Sequence, residues 1–197
     1  MFNKKSQIEL KKDLEQESFK RITCSFYRYV DIVNTEEFRN RLYHKFSHLN
    51  ILGRVYVANE GINAQLSLPA DKFRAFKAHI DTITFLKDLR LNIAREQDNK
   101  SFLKLKIKVR NKIVADGLND ETFDVTDIGV HLKATGFNQM IDDPNTVLID
   151  MRNHYETEIG HFKNAVTPDV DTFRESLPII EEDLKEHKED KNIVMYC

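Results

Sequence analysis

The order of apolar patterns along residues 22–94 restricts the fold of this chain more than any other feature of its sequence. Residues 22–30, 51–58, 62–68 and 89–94 show the alternation or the short apolar runs that are typical of β-strands. The two intervening stretches repeat apolar residues at helical spacing, and Asn34 or Thr35 can cap the first of these helices. The order β-α-β-β-α-β predicts an α+β domain with the ferredoxin-like, or acylphosphatase-like, plan.

Residues 102–114 form the most regular alternating segment of the chain and predict a fifth strand. Its buried side would carry Leu103, Leu105, Ile107 and Val109. Its other side would carry five cations, Lys104, Lys106, Lys108, Arg110 and Lys112. Cations about 7 Å apart, twice the rise per strand residue, can follow a phosphodiester backbone. Lysines also protect exposed strands against aggregation, so the pattern alone leaves RNA contact and edge protection both open.

Polar and aromatic side chains near the predicted turn between the second and third strands are further candidates for RNA contact. Asn59, Glu60 and Asn63 either order that turn around Gly61 or touch RNA, and the first role is favoured because Asn and Gly are ordinary turn formers. Three tyrosines could stack on an unpaired base or belong to the core: Tyr27, Tyr29 and Tyr56. Cys24 alternates with apolar neighbours, which predicts a buried structural thiol.

The net charge of −2 conceals two oppositely charged halves. Residues 1–117 carry 23 Lys and Arg against 14 Asp and Glu, whereas residues 118–197 carry 7 against 18. A basic half attracts polyanions, although opposite charges also help two domains to dock. The first twenty residues, predicted as a charged helix or tail, lack a secretory signal, and no apolar run is long enough to span a membrane. We therefore expect a cytoplasmic protein.

The pattern of strands and helices in the acidic half predicts a second domain of the α/β class. We place a basic domain at residues 21–117, a linker at 118–133 and the second domain at 134–197. Strands are predicted at residues 146–150 and 192–196, with a helix at 179–187 whose first turn contains Pro178. Strand, crossover, helix and strand in this order indicate parallel β-strands.

Three short motifs in this second domain together indicate a reactive site. Asp150 and Arg152 directly follow the first strand, where loops of parallel sheets build ligand sites. Gly160 and His161 begin a G-H-x-x-x-A pattern, and Cys197 follows the last strand. A cysteine at that position can act as a nucleophile if surrounding groups stabilise its thiolate.

In order and spacing these motifs resemble the rhodanese domain, whose reactive cysteine follows a central strand. The resemblance implies that Cys197 is the reactive residue and that Asp150, Arg152 and His161 brace the neighbouring loops. A hydrogen-bonded structural role is the favoured interpretation of His161. The pattern covers about the first half of a rhodanese domain, because the sequence ends at Cys197 before the loop that supplies amide donors. We therefore expect a partial rhodanese domain, without catalytic activity in the chain as given.

Residues 56–64, followed by a basic strand and the rhodanese pattern, resemble the rhodanese-domain tRNA uridine hydroxylases, a family formerly grouped as uncharacterised. The resemblance implies oxygen-dependent hydroxylation of the wobble uridine to 5-hydroxyuridine, with tRNA as partner and the rhodanese cysteine required. Dioxygen would be the co-substrate, and no other cofactor is identified. His44 and His48 have a metal-ligand spacing but lack a recognisable third ligand, so no metal is predicted.

Two other functions remain open from the sequence. A rhodanese-type sulfurtransferase would carry a persulfide on Cys197, and a non-catalytic RNA-binding module would use the basic half alone. The sequence leaves the oligomeric state undetermined.

Overall fold

The computed structural model of the protein describes residues 5–95, 101–114, 129–187 and 190–197. The chain divides into two compact units, residues 1–114 and 115–197. Most of the predicted linker, residues 118–128, lies outside the described residues. Within the described ranges, no helix is long and apolar enough to cross a membrane.

The first unit is an α+β sandwich built on a five-stranded sheet. Its elements are α1 (Gln7–Glu15), β1 (Arg21–Tyr29), α2 (Thr35–His48), β2 (Leu52–Ala58), β3 (Gly61–Pro69), α3 (Phe73–Asp81), β4 (Asn92–Ile93) and β5 (Leu105–Val109), with 3-10 turns at Ala70–Lys72 and Thr84–Leu86. The strand order is β4-β1-β3-β2-β5, and all pairs are antiparallel except β2 with β5. The predicted ferredoxin-like plan is confirmed, with β5 added at the edge beside β2.

One hydrophobic core joins the buried residues of α2 and α3 to alternate positions of the strands. The rings of Phe46 and Phe76, one from each helix, meet edge to face with centroids 5.8 Å apart. Cys24 is 2% exposed, as predicted, and burial raises the pKa of its thiol to about 11. Of the two predicted caps, Asn34 is the one that forms, since its side chain accepts a hydrogen bond from the Glu37 amide, and Thr35 is the first residue of α2.

The long strand predicted at residues 102–114 is wrong in its length, because β5 contains only Leu105–Val109. Its parallel partner β2 contains only Leu52–Ala58. One further hydrogen bond at each end closes the ladder, from the Gly53 amide to the Lys104 carbonyl and from the Arg110 amide to the Val57 carbonyl. Past the end of β5, the Ile113 amide instead donates to the Glu60 carboxylate at 2.7 Å. The alternation of apolar and cationic residues in the sequence therefore continues past the point at which β5 stops pairing with β2.

The strand predicted at residues 89–94 is also shorter than expected, since β4 contains two residues. Asp88 has φ of +56°, and the Leu89 amide donates to the Leu86 carbonyl, so the chain is still turning at that point. Leu89 is buried as part of this turn and not as part of a strand.

The second unit contains a parallel two-stranded sheet with helices beside it. Its elements are α4 (Ala134–Ile141), β6 (Thr146–Asp150), α5 (His154–Thr157), α6 (Phe173–Asp183) and β7 (Asn192–Tyr196). Both predicted strands are confirmed, and Ile149 also bridges to Val166 in parallel. Residues of α6 and the two strands share a small hydrophobic core.

The helix predicted at residues 179–187 is wrong at both ends, because α6 begins at Phe173 and ends at Asp183. Thr172 and Glu175 form a capping box, a start signal stronger than the preference of Pro for a first turn. Pro178 lies inside the helix, where it leaves one backbone acceptor without its usual amide donor.

Gly61, at the start of β3, permits a close approach between β3 and β1 that an amino acid with a Cβ atom at this position would prevent. It has φ of +150°, and a Cβ atom there would lie 2.1 Å from the Arg28 carbonyl oxygen of β1. A side chain would therefore force apart two strands that are paired along their length.

We expect Gly61→Ala to lower the free energy of unfolding of the first unit by about 2 kcal/mol or more, through strain and lost pairing. Denaturant unfolding followed by circular dichroism measures this loss. Gly136→Ala is the control, because its Cβ would meet only Leu132 at an ordinary 3.7 Å within α4. Equal stability of the Gly61→Ala variant and the unaltered chain would contradict the steric argument.

Candidate functional site

The cysteine that follows β7 lies beside an ion pair of the second unit whose carboxylate is buried. Asp150, the last residue of β6, is fully buried, and Arg152 binds its carboxylate through Nε at 2.9 Å and Nη2 at 2.6 Å. The same Arg152 Nη2 donates to the Gly160 carbonyl at 2.7 Å. One guanidinium thus ties the end of β6 to the loop that contains the Gly-His motif.

Tyr196 completes this network, although no motif in the sequence marks it as a site residue. Its hydroxyl donates to Asp150 Oδ2 at 2.6 Å and accepts from the Phe162 amide at 3.2 Å. Its ring packs against those of Phe137 and Phe162, and the Arg152 guanidinium lies 5.6 Å from the ring centroid. Tyr196 ends an apolar predicted strand, and a tyrosine that is partly buried there needs a hydrogen-bond partner for its hydroxyl. This combination is the sequence signal that points to Tyr196.

Charge compensation explains why a carboxylate is tolerated at this position. Burial by itself raises the pKa of Asp150, but the hydrogen bonds from Arg152 and Tyr196 outweigh it and hold the pKa below its ordinary value. Burial, together with the hydrogen bond to Asp150, raises the pKa of Tyr196. At neutral pH the Asp150–Arg152–Tyr196 network therefore contains an anion, a cation and a neutral phenol.

His161 lies on the exposed loop between α5 and α6. Its Nδ1 is 3.1 Å from the Thr157 carbonyl oxygen. This contact joins the loop to the end of α5, and it involves neither Asp150 nor Cys197.

Cys197 is exposed, and its surroundings disfavour the thiolate. Partial burial of the thiol, followed by the negative charges of Glu156 and Asp150, raises its pKa, while Arg152 acts in the opposite direction. A nucleophilic thiolate at this position needs more positive potential than these residues supply.

The cationic residues of the first unit occupy a different arrangement from the predicted ladder. Only Lys106 and Lys108 lie on β5, while Lys104 precedes the strand and Arg110 and Lys112 follow it. Both strand lysines are exposed on the sheet surface opposite the helices, which we call the open face. The predicted run of five equally spaced cations on one strand is wrong, because β5 ends with its partner β2.

Two rows of side chains cross the open face from strand to strand. The pairing register aligns one row as Tyr27, Asn63, Tyr56 and Lys108. The neighbouring row is Ser25, Gln65, Arg54 and Lys106. Tyr27 is 55% exposed, and the Arg110 guanidinium lies 5.7 Å from the Tyr56 ring centroid. Arg54 and Gln65 are exposed and were not identified from the sequence.

The polar side chains of the β2–β3 turn bind their own chain. Asn59 Nδ2 donates to the Ile32 carbonyl at 3.3 Å. Glu60 accepts from the Ile113 amide at 2.7 Å, and Asn63 Nδ2 donates to the Ile113 carbonyl at 3.4 Å. These contacts fasten Ile32 and the segment after β5 to one hairpin.

No group of three or more His, Cys, Asp and Glu able to hold a metal ion occurs in the described part of the chain. His44 and His48 are both exposed on α2.

Comparison with known proteins agrees with this two-unit arrangement. Residues 21–113 match the family described as the UPF0176 acylphosphatase-like domain, and residues 133–197 match the rhodanese-like domain. Relatives named tRNA uridine(34) hydroxylase are 52% identical in Photorhabdus laumondii, 53% in Leptospira interrogans and 50% in Yersinia pestis. The matches cover 100%, 95% and 100% of this chain, respectively. The chain therefore combines an acylphosphatase-like and a rhodanese-like domain, and along nearly its whole length it is similar to proteins named tRNA uridine(34) hydroxylase.

The chain spans about half the length of the curated relatives that it matches, 56%, 51% and 56% in the same order. The predicted resemblance and both predicted fold classes are confirmed by these matches.

We expect Tyr196→Phe to lower the free energy of unfolding of the second unit by about 1.5–3 kcal/mol at neutral pH, because it removes a hydrogen bond to a charged acceptor. The fold lowers the pKa of Asp150, so its ionised form stabilises the fold above the ordinary carboxyl pKa. This stabilisation is lost as pH falls through the lowered pKa, and the difference between the two proteins should shrink there. Urea unfolding at several pH values measures it.

Tyr155→Phe is the matched control, since the Tyr155 hydroxyl accepts a neutral, exposed hydrogen bond from Asn153. Its cost should stay below about 0.5 kcal/mol at every pH. A cost for Tyr196→Phe no larger than that of the control would contradict the importance of the network.

We expect iodoacetamide to modify Cys197 and leave Cys24 unmodified under native conditions, because only the first thiol is exposed. Since its pKa is raised, the Cys197 rate should still be increasing at pH values above those at which an ordinary thiol has ionised. Glu156→Gln should move this profile to lower pH while its side-chain oxygen still accepts from the Asn153 amide. Peptide mass spectrometry over a pH series measures both rates, and an unchanged profile in Glu156→Gln would contradict the assigned cause.

Proposed function

We propose that the protein containing this chain hydroxylates the wobble uridine of tRNA to 5-hydroxyuridine in an oxygen-dependent reaction. The observation that carries this proposal is the position of Cys197, directly after β7 and beside the Asp150–Arg152–Tyr196 network, in a chain whose relatives bear that name. Dioxygen is the co-substrate in this proposal and tRNA the partner.

In this proposal the second unit takes part in the chemistry and the first unit binds tRNA. Cys197 takes part in the chemistry, while Asp150 and Arg152 hold the end of β6 and the 160–162 loop in place. His161 joins that loop to α5. In the first unit we propose that tRNA contacts are made by Lys104, Lys106, Lys108, Arg110 and Lys112. Asn59, Glu60 and Asn63 act mainly by ordering the hairpin, since each binds the backbone of its own chain.

The charge distribution supports this division. The excess of Lys and Arg within residues 1–117 favours a polyanion on the first unit, and the acidic second half disfavours one. We propose functional boundaries of 21–117 for the basic domain, 118–133 for the linker and 134–197 for the rhodanese part, with residues 1–20 as a charged N-terminal segment. A cytoplasmic location follows from a tRNA substrate.

We expect cells that depend on this protein for 5-hydroxyuridine to lose that nucleoside when they carry Cys197→Ser, since the hydroxyl cannot replace the thiol as a nucleophile. Mass spectrometry of nucleosides from purified tRNA measures the loss. Cys24→Ala is the matched control, because this buried thiol belongs to the core, and it should retain the modification.

The protein level of each variant is measured in the same cells, so that loss of the modification is not confused with loss of the protein. Persistent 5-hydroxyuridine in Cys197→Ser, with all other hydroxylation routes deleted, would overturn the proposed role of this residue. An absence of 5-hydroxyuridine with the unaltered protein would overturn the proposed reaction.

A further inference from the structure

The open face of the first unit carries aromatic, amide and cationic side chains in adjacent positions. Its two central rows run from Tyr27 to Lys108 and from Ser25 to Lys106. None of the described strand positions in these rows carries a carboxylate. The charged members of the rows, Arg54, Lys106 and Lys108, are all cations, so the surface is complementary to a nucleic acid.

We infer that this face binds unpaired nucleotides of a single-stranded RNA segment by stacking their bases. The inference deepens the proposed function and rests on it, since a wobble uridine lies in the unpaired anticodon loop of a tRNA. The five cations expected on one β-strand would have followed the phosphodiester backbone of the RNA. The structure replaces them with a platform that extends across several strands.

Tyr27 is the first stacking position. Tyr27 is 55% exposed although it lies on β1, next to the central strand. Tyr29 meets it edge to face with centroids 6.3 Å apart, which limits the orientations of the Tyr27 ring. An exposed aromatic ring whose orientation is limited in this way offers a base a stacking partner without a large ordering cost.

The pair formed by Tyr56 and Arg110 is the second stacking position. The guanidinium lies over the Tyr56 ring, and a planar guanidinium can itself stack on a base. Tyr27 and Tyr56 are separated by β3, so neighbouring-strand spacing places them about 10 Å apart. This exceeds the rise of about 3.4 Å per nucleotide along one strand of a double helix, so each position takes a base from a strand whose bases are spread apart.

Polar groups between and beside these positions match the other parts of a nucleotide. Gln65 is exposed and can donate to or accept from a base edge. Arg54, Lys106 and Lys108 are exposed on the β2–β5 side and suit phosphate oxygens.

The same chemistry disfavours a double helix as the ligand. A duplex stacks its bases on one another and presents only phosphates and groove edges, so Tyr27 would have no base to contact. An acidic protein surface would bind the cations of the open face. It would gain little from the exposed ring of Tyr27 and the neighbouring amide side chains. Single-stranded RNA is the ligand that uses all three kinds of side chain.

The test measures binding of the chain to an eight-nucleotide single-stranded RNA that contains 2-aminopurine, and to the same sequence in a duplex. Fluorescence anisotropy reports affinity, and quenching of 2-aminopurine reports stacking. We expect the single strand to bind at least tenfold more tightly than the duplex. Tyr27→Ala should weaken single-strand binding about tenfold and relieve the quenching, because base–aromatic stacking is lost.

Tyr27→Phe should retain both signals, since the ring remains. Tyr155→Ala is the control, because this tyrosine is 58% exposed in the second unit and should leave both signals unchanged. Circular dichroism establishes that each variant is folded, and Arg110→Ala provides a second variant that disturbs the other stacking position.

Equal affinity for single strand and duplex, or equal effects of Tyr27→Ala and Tyr155→Ala, would overturn the inference. If 5-hydroxyuridine still depends on Cys197 in that case, the proposed function stands and only the stacking surface is rejected. If single-strand binding depends on Tyr27 while no 5-hydroxyuridine forms, the surface stands and the proposed reaction is rejected.

Discussion

Strand β3 is the constraint on which the first unit depends, because it pairs with β1 on one edge and β2 on the other. Gly61 and Gly53 allow these close approaches, since a Cβ at either position would lie within 2.2 Å of a carbonyl oxygen on the neighbouring strand. With this register fixed, alternate residues of β1, β2 and β3 enter the core and the others form the open face. The candidate RNA surface is thus a direct result of strand pairing.

The β2–β3 hairpin also sets the limit of β5. Once β2 turns at Asn59, the strand beside it loses its partner, and the freed backbone of Ile113 binds Glu60 and Asn63 instead. Short polar side chains at one turn therefore fasten the segment that leaves the sheet. The same turn ends both the strand and the run of cations that the strand carries.

In the second unit, a buried carboxylate performs the corresponding organising role. Asp150 requires the cation of Arg152 and the hydroxyl of Tyr196, since an unpaired charge in that environment would be strongly destabilising. Because Arg152 also binds Gly160 and Tyr196 also binds Phe162, satisfying this one charge positions two loops around the end of β7. Cys197 is adjacent to the network by sequence and by structure.

The sequence by itself determined the order of the elements, the burial of Cys24, both strands of the second unit and the motif that ends in Cys197. These depend on the local periodicity of apolar residues and on short-range spacing, which a single sequence contains. Only the tertiary structure decided where β5 stops, that α6 begins at Phe173, and that Tyr196 and Arg54 belong to candidate sites. Each of these depends on a partner distant in sequence or on a choice between competing local signals: β2 for β5, Asp150 for Tyr196, and the Thr172–Glu175 capping box over Pro178 for α6. Side-chain alternation continues in a sequence whether or not a neighbouring strand is present, but a hydrogen-bonded strand does not.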